Sequence, residues 1–391
     1  MSTEENNKKE ELISEKQDLQ DRLRSRSPEK DTLLKFICEY GELDFSEQPF
    51  CEGDDAVLAM LSYMDMSGLM EDGPLLLTEL CERYLAEERG EQLLTYDAER
   101  LARYMARARR YRELKVSDLK EFIDGNTQFC AVCFHLPDGS CYAAFRGTDA
   151  SVAGWKEDFS FAFLDETYGQ RLAAEYLKEL MERYGAPFHA GGHSKGGNLA
   201  IYAAAKLPAE FKDRLVKVWS NDGPGFRKNV LDDPGFLEIK DKTVVIVPEA
   251  SVVGMIMPTF YERLIVKSDG ALFFQHLPDC WLIKGGSFVR SEGLSGFSGW
   301  TEESIQGWLD EMDDDERRLF IEAVFGVLEA SGLKSFDELT EDLVGRAGSI
   351  VQSIRNMDSG SRKHVLSMAV RFGKASTFAL LKRFIKAMGL I

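Results

Sequence analysis

Gly192-His193-Ser194-Lys195-Gly196 places one hydroxyl between glycines. This is the Gly-Xaa-Ser-Xaa-Gly pattern in which a strand turns abruptly into a helix and lifts the serine above a sheet. A Cβ at either flank would collide where strand and helix close on each other, so glycine at 192 and 196 suits a tight corner. The setting agrees: PFHAG before the corner reads as a strand, and NLAIYAAAK after it as an alanine-rich helix. A serine held this way is a nucleophile if a base can take its proton, and histidine has a pKa suited to that task near neutrality. The chain has five histidines. His135 falls in a hairpin, His189 in the strand entering the corner, His193 beside the serine along the turn and His364 in a C-terminal helical stretch, which leaves His276, in FFQHLPDCW, as the base.

GHSKGGNLA together with AFRGTDASVAGWKEDF resembles the class 3 lipase branch of the α/β-hydrolases, and more closely the Mbeg1-like family, whose members share GHSKGGN. The resemblance runs from GELDFSEQPF through LSYMD to QHLPDCW. It implies an α/β-hydrolase-like fold and a serine hydrolase, without naming a substrate. His276 occupies the late loop where these families place their histidine, and serine, acid, histidine is the chain order of that fold. As Ser194 attacks a carbonyl, two preset N–H donors must meet the growing charge. The residue after the nucleophile, Lys195, supplies one through its backbone, and the resemblance brings Thr148 of FRGT as the other, with Gly147 allowing close approach and Trp155 and Asp158 in lipase-like spacing.

The acid is harder to place. In class 3 lipases an aspartate follows the strand that corresponds to KTVVIVP, but here the chain continues as EASVVGM, with Ser251 at the lipase position. The orienting group must accept from the imidazole and stabilise its positive charge, which favours a carboxylate. Glu249, at the strand's end, therefore ranks first, Asp222 of WSNDGPGF second and Ser251 third. The Lys195 side chain stands where such lipases carry an apolar group. Either it recognises an acidic substrate group or it pairs with Asp149, Asp222 or Glu249; the ion pair is favoured.

The elements that must position these residues follow from hydrophobic periodicity. LLKFICEY, DAVLAMLSYM and GPLLLTELCERYL repeat apolar residues three or four apart, predicting helices from Asp31 to about Leu119. QFCAVCFHLPDGSCYAAFRG predicts a hairpin reversing at Pro137-Asp138-Gly139, and Tyr168, Leu172, Tyr176, Leu180 and Met181 form the stripe of a helix that Gly185 stops. RLVKVWS, KTVVIVP and CWLIKG read as buried strands. Alternation of helix and short apolar strand predicts an α/β fold, a mostly parallel sheet with helices on both faces. The expected organisation is a charged tail over 1–30, an α/β-hydrolase-like domain over 31–295 and a helical C-terminal subdomain over 296–391, with a capping box from Ser335 to Glu338.

Bulk properties narrow the partners. The 391 residues carry a formal charge of −18, which repels a phosphate backbone and argues against nucleic acid. Seven scattered cysteines lack the density of a disulfide scaffold, and the first thirty residues hold no apolar block for a signal peptide, so a cytoplasmic protein is expected. Cys130 and Cys133 have metal-ligand spacing, but no second pair follows and both fall in a strand, so they read as core thiols. Residues 359–391 contain no acid and seven positive charges, and FALLKRFIKAM could contact a membrane surface; docking on the acidic runs DEMDDDE and ELTEDL is favoured.

The resulting expectation is a serine esterase, lipase-like, acting on a small-molecule ester or acyl substrate through an acyl-enzyme, with no cofactor and no metal. VVGMIMPTF could line an acyl pocket, or be plain core. The competing readings are a non-catalytic interaction protein on a hydrolase scaffold, and a thioesterase or amidase with the same nucleophile.

Overall fold

The computed structural model describes residues 31–70, 73–87, 98–124, 127–149, 152–270, 272–296, 298–299, 307 and 312–330. Among the described residues, four N-terminal helices come first: α1 (Thr32–Tyr40), α2 (Glu52–Leu61), α3 (Leu77–Ala86) and α4 (Ala98–Met105), with the two-residue strand β1 (Leu75–Leu76) before α3. Asp31 starts α1 by accepting from the Leu33 and Leu34 amides at 3.0 and 3.1 Å, a side-chain N-cap. The predicted helices are present, but the helical stretch ends before Leu119, because β2 (Lys115–Ile123) begins at Lys115. Its register against β3 shifts between Ser117 and Lys120, where Asp118 takes φ 55°. Such a bulge interrupts the two-residue alternation by which a strand is recognised.

The sheet has eight strands in sequential order, β1 to β8. β3 (Gln128–His135) and β4 (Cys141–Phe145) form the predicted hairpin. From β4 onward the pairing is parallel, through β5 (Phe188–His193), β6 (Leu215–Asn221), β7 (Thr243–Pro248) and β8 (Arg263–Val266). CWLIKG contributes β9 (Ile283–Lys284), which pairs with β10 (Ser287–Phe288) in a separate two-stranded sheet rather than extending the main one. Between β4 and β5 lie α5 (Val152–Ser160) and α6 (Tyr168–Arg183); α7 (Lys195–Lys206) follows β5, and α8 (Asp314–Ala330) comes last among the described residues.

Both faces of the sheet are covered, as expected of an α/β fold. Alternation along β4 sends Tyr142 and Ala144 into the core beneath α1 to α4, and Cys141, Ala143 and Phe145 into the core beneath α6 and α7. α6 opens on a capping box, with Thr167 accepting from the Gln170 amide at 3.2 Å and Gln170 accepting from the Thr167 amide at 2.9 Å. Of its predicted stripe, Leu172, Tyr176, Leu180 and Met181 are buried while Tyr168 is exposed. Each buried leucine there stabilises the layer by roughly 1.5–3 kcal/mol. α8 packs on α5 through Phe159 and Phe325, ring centroids 5.6 Å apart, and Arg227 reaches Asp314 at 2.6 Å. The charged tail 1–30, the Ser335 capping box and the basic segment 359–391 lie outside the described residues. Among the described residues no helix is long and apolar enough to cross a membrane.

Candidate active site

Ser194 stands between β5 and α7 with φ 57° and ψ −130°, a left-handed conformation costly for a residue with a side chain. It is sustained from both sides, by the Ser194 amide donating to Asn221 O at 2.9 Å and the Gly197 amide donating to Ser194 O at 2.9 Å. The flanking glycines are sterically required: a Cβ on Gly192 would meet Phe145 O at 2.4 Å, and one on Gly196 the same oxygen at 2.0 Å. The Ser194 side chain makes no hydrogen bond among the described residues, which leaves its oxygen available above the strand ends.

His276 ends a short 3-10 turn, Leu272–His276, and its ring lies 4.4 Å, centroid to centroid, from that of His193, the residue before the serine. Its Nδ1 is 2.7 Å from Asp222 Oδ2. The acid ranked second from the sequence is therefore the one against the imidazole. Glu249, ranked first, is turned elsewhere: its Oε2 accepts from Ser291 Oγ at 2.9 Å. Ser251 is neither, but a partner of the acid, donating to Asp222 Oδ1 at 2.5 Å, with the Gly254 amide donating to the same oxygen at 3.2 Å. Asp222 follows directly on β6 with φ 52°, its amide held by Ile246 O at 2.8 Å, so a sharp turn at the strand end aims its carboxylate.

Thr148 lies just past β4, where a Cβ on Gly147 would meet Tyr63 Oη at 2.0 Å and His193 O at 2.6 Å. This close approach brings the β4 end against the elbow. Thr148 Oγ1 donates to Asp158 Oδ2 on α5 at 2.7 Å. Asp158 Oδ1 is buried without a hydrogen-bond partner, and burial pushes the carboxyl up to about 7 despite the nearby Lys195 charge. Neither the Thr148 amide nor the Lys195 amide donates to a backbone oxygen among the described residues.

The Lys195 side chain is fully buried, donating to Glu157 Oε2 at 3.0 Å and Gln128 O at 2.8 Å. An ion pair was the favoured expectation, but its partner is none of Asp149, Asp222 and Glu249. Glu157 also accepts from the Gln128 amide at 3.1 Å and the Gly169 amide at 3.1 Å, so the pair ties α5, α6 and β3 to the elbow.

Sequence reasoning missed two positioning groups. Tyr63 Oη lies 3.0 Å from His193 Nδ1, and His193 Nε2 lies 2.8 Å from His276 O. Burial holds His193 well below its usual pKa, so it is neutral, and one consistent arrangement has tyrosine donating to Nδ1 and Nε2–H donating to the His276 carbonyl. Beneath the strand ends, Asp55 accepts from Tyr142 Oη at 2.6 Å and Asn221 Nδ2 at 2.7 Å, and burial raises its pKa to about 7. Only tertiary placement brings Tyr63 and Asp55 here; nothing local in LSYMD or EGDDAV marks them. Cys130 and Cys133 are both buried and, three apart in a strand, face opposite sides, so they cannot share an ion. In VVGMIMPTF, Met255 belongs to the core beneath α7.

A family model described as Mbeg1-like matches residues 105–326, more than half of the chain and all of the residues just described except Tyr63 and Asp55. No curated protein matches the chain.

Proposed function

The chain belongs to the Mbeg1-like family, and from that membership together with the His276–Asp222 contact beside the elbow we propose that it is a serine hydrolase cleaving a carboxylic ester or lipid-like acyl substrate. Ser194 attacks the acyl carbon while His276 Nε2 takes its proton, since Nδ1–H is committed to Asp222 Oδ2 at 2.7 Å. Asp222 stays ionised and stabilises the imidazolium; its other oxygen already accepts from Ser251 and Gly254, which fixes its plane. The Lys195 and Thr148 amides receive the charge that grows on the carbonyl oxygen. His276 then protonates the leaving alcohol, and water, deprotonated by the same imidazole, releases the acid from the acyl-enzyme.

The observation that carries this reading is the imidazole oriented by a buried carboxylate and set against His193, the residue before a serine in strained backbone. Hydrogen bonds between nucleophile and base commonly tighten only when substrate binds, so a free serine hydroxyl accords with the assignment. A fluorophosphonate probe tests it. Labelling of the folded chain that vanishes in Ser194→Ala supports a serine hydrolase; a folded chain that takes no label supports an interaction protein on a hydrolase scaffold. Ester, thioester and amide panels then separate the substrate classes.

A further inference from the structure

At the far end of the β3–β4 hairpin, Cys133, His135 and Cys141 bring two sulfurs and an imidazole nitrogen within 4.8 Å of one another. Cys133 and His135 share a face of β3, and His135 is directly opposite Cys141 in the register, so antiparallel pairing itself assembles the trio. His135 Nδ1 is 3.4 Å from Cys141 Sγ. Two ligands on a tetrahedral zinc, at about 2.3 Å for sulfur and 2.0–2.1 Å for nitrogen, stand roughly 3.5 Å apart, so that edge of a zinc site is already near its final length.

The other ring nitrogen is held in the way a metal ligand requires. His135 Nε2 is 2.7 Å from Ser117 Oγ, and Ser117 Oγ donates to Asp118 Oδ2 at 2.5 Å. Asp118 can only accept; it also takes Tyr184 Oη at 2.7 Å and pairs with Arg183, so it is anchored as an anion and not available as a ligand. With the serine proton committed to Asp118, Nε2–H donates to Ser117 and the Nδ1 lone pair faces the thiols. A histidine whose outer N–H is tied to a hydroxyl and carboxylate is the usual support of a metal-binding imidazole. A cavity of about 440 Å³ lined by Ser117, Asp118, Arg183 and Tyr184 opens beside the cluster; none of Ser194, His276 and Asp222 lines it.

We infer that Cys133, His135 and Cys141 form a Zn²⁺-binding site, separate from the hydrolase centre, with Ser117 and Asp118 orienting the histidine. Two sulfurs and one imidazole select a borderline-soft cation over Mg²⁺ or Ca²⁺, and three protein ligands leave a fourth position for water or an added ligand. Binding forms two Zn–S bonds and one Zn–N bond; the thiol protons of Cys133 and Cys141 pass to buffer and no electron is transferred.

The test is titration of the chelator-treated full chain with Co²⁺ as a spectroscopic stand-in. One equivalent should produce thiolate-to-cobalt charge-transfer absorption, which Zn²⁺ abolishes. Cys141→Ala and Cys133→Ala should lose the band, Cys81→Ala should keep it, and Ser117→Ala should weaken binding about 10- to 100-fold. Should the hairpin variants fail to fold, the wild-type chain decides instead: one equivalent of Zn²⁺ must release the protons of the two thiols into weakly buffered solution. No charge-transfer band in the wild type, a band unchanged in Cys141→Ala, or no proton release with Zn²⁺ overturns the inference.

Discussion

The carboxylate of Asp222 uses both its oxygens, one on the His276 ring and one on Ser251 and the Gly254 amide, and this double engagement gives its substitution a specific signature. An amide in its place keeps the shape but can satisfy the imidazole only by favouring the wrong tautomer. Asp222→Asn should therefore lower ester turnover by a factor on the order of 10⁴. Glu249→Gln should leave turnover within a few-fold, because its contacts run to Ser291 and not to the ring. Comparable losses in both would remove Asp222 from its role. Tyr63 acts one step further out, since its hydroxyl meets the ring that carries the His276 backbone. Tyr63→Phe should cut kcat by on the order of ten- to a hundredfold with little change in KM, as expected of a misplaced base. An unchanged kcat alongside lower unfolding free energy would make Tyr63 a stabilising residue only.

At the scale of elements, the elbow is a junction of β4, β5, α5, α6 and α7, and the Lys195–Glu157 pair is its buried tie. Removing one member leaves the other charged in the interior, so Lys195→Met should cost about 3–5 kcal/mol in denaturant unfolding. The ratio of hydrolysis of neutral to anionic esters should stay the same, since the ammonium faces Glu157 and Gln128 O; a shifted ratio would return the lysine to substrate recognition. The same junction explains what could be read in advance. Ser194 and its glycines are legible because backbone collision acts over five consecutive residues, and His276 because only five histidines compete. Asp222 was outranked because the class 3 lipase resemblance puts the acid after KTVVIVP, one strand later, and only the turn at φ 52° aims Asp222 at the ring. Glu157 was not foreseen as the partner of Lys195 since the contact spans 38 positions. β2 was hidden by its bulge, and β8 by its length of only four residues, whereas the hairpin, α6 and the other parallel strands follow from periodicity that packing did not override.

For the whole molecule, two buried carboxyls set a pH dependence opposite to that of ordinary surface acids. Burial lifts both Asp55 and Asp158 from 3.8 to about 7. Between those values the folded chain holds protons that the unfolded chain has released, so stability is greatest toward pH 4 for these groups and is lost as pH rises through about 7. Each contributes a change on the order of a few kcal/mol across that window. Asp44 and Asp233, whose hydrogen bonds lower their pKa, act in the reverse direction at lower pH, so wild-type stability alone does not isolate the effect. Asp158→Asn does. The amide can still accept from Thr148 Oγ1 and has no charge to bury, so the difference in unfolding free energy between pH 5 and pH 8 should shrink relative to wild type. Urea unfolding of both proteins at those two pH values measures it. Equal differences would mean that Asp158 titrates as a solvated acid, and that its Oδ1, which has no hydrogen-bond partner, is reached by water.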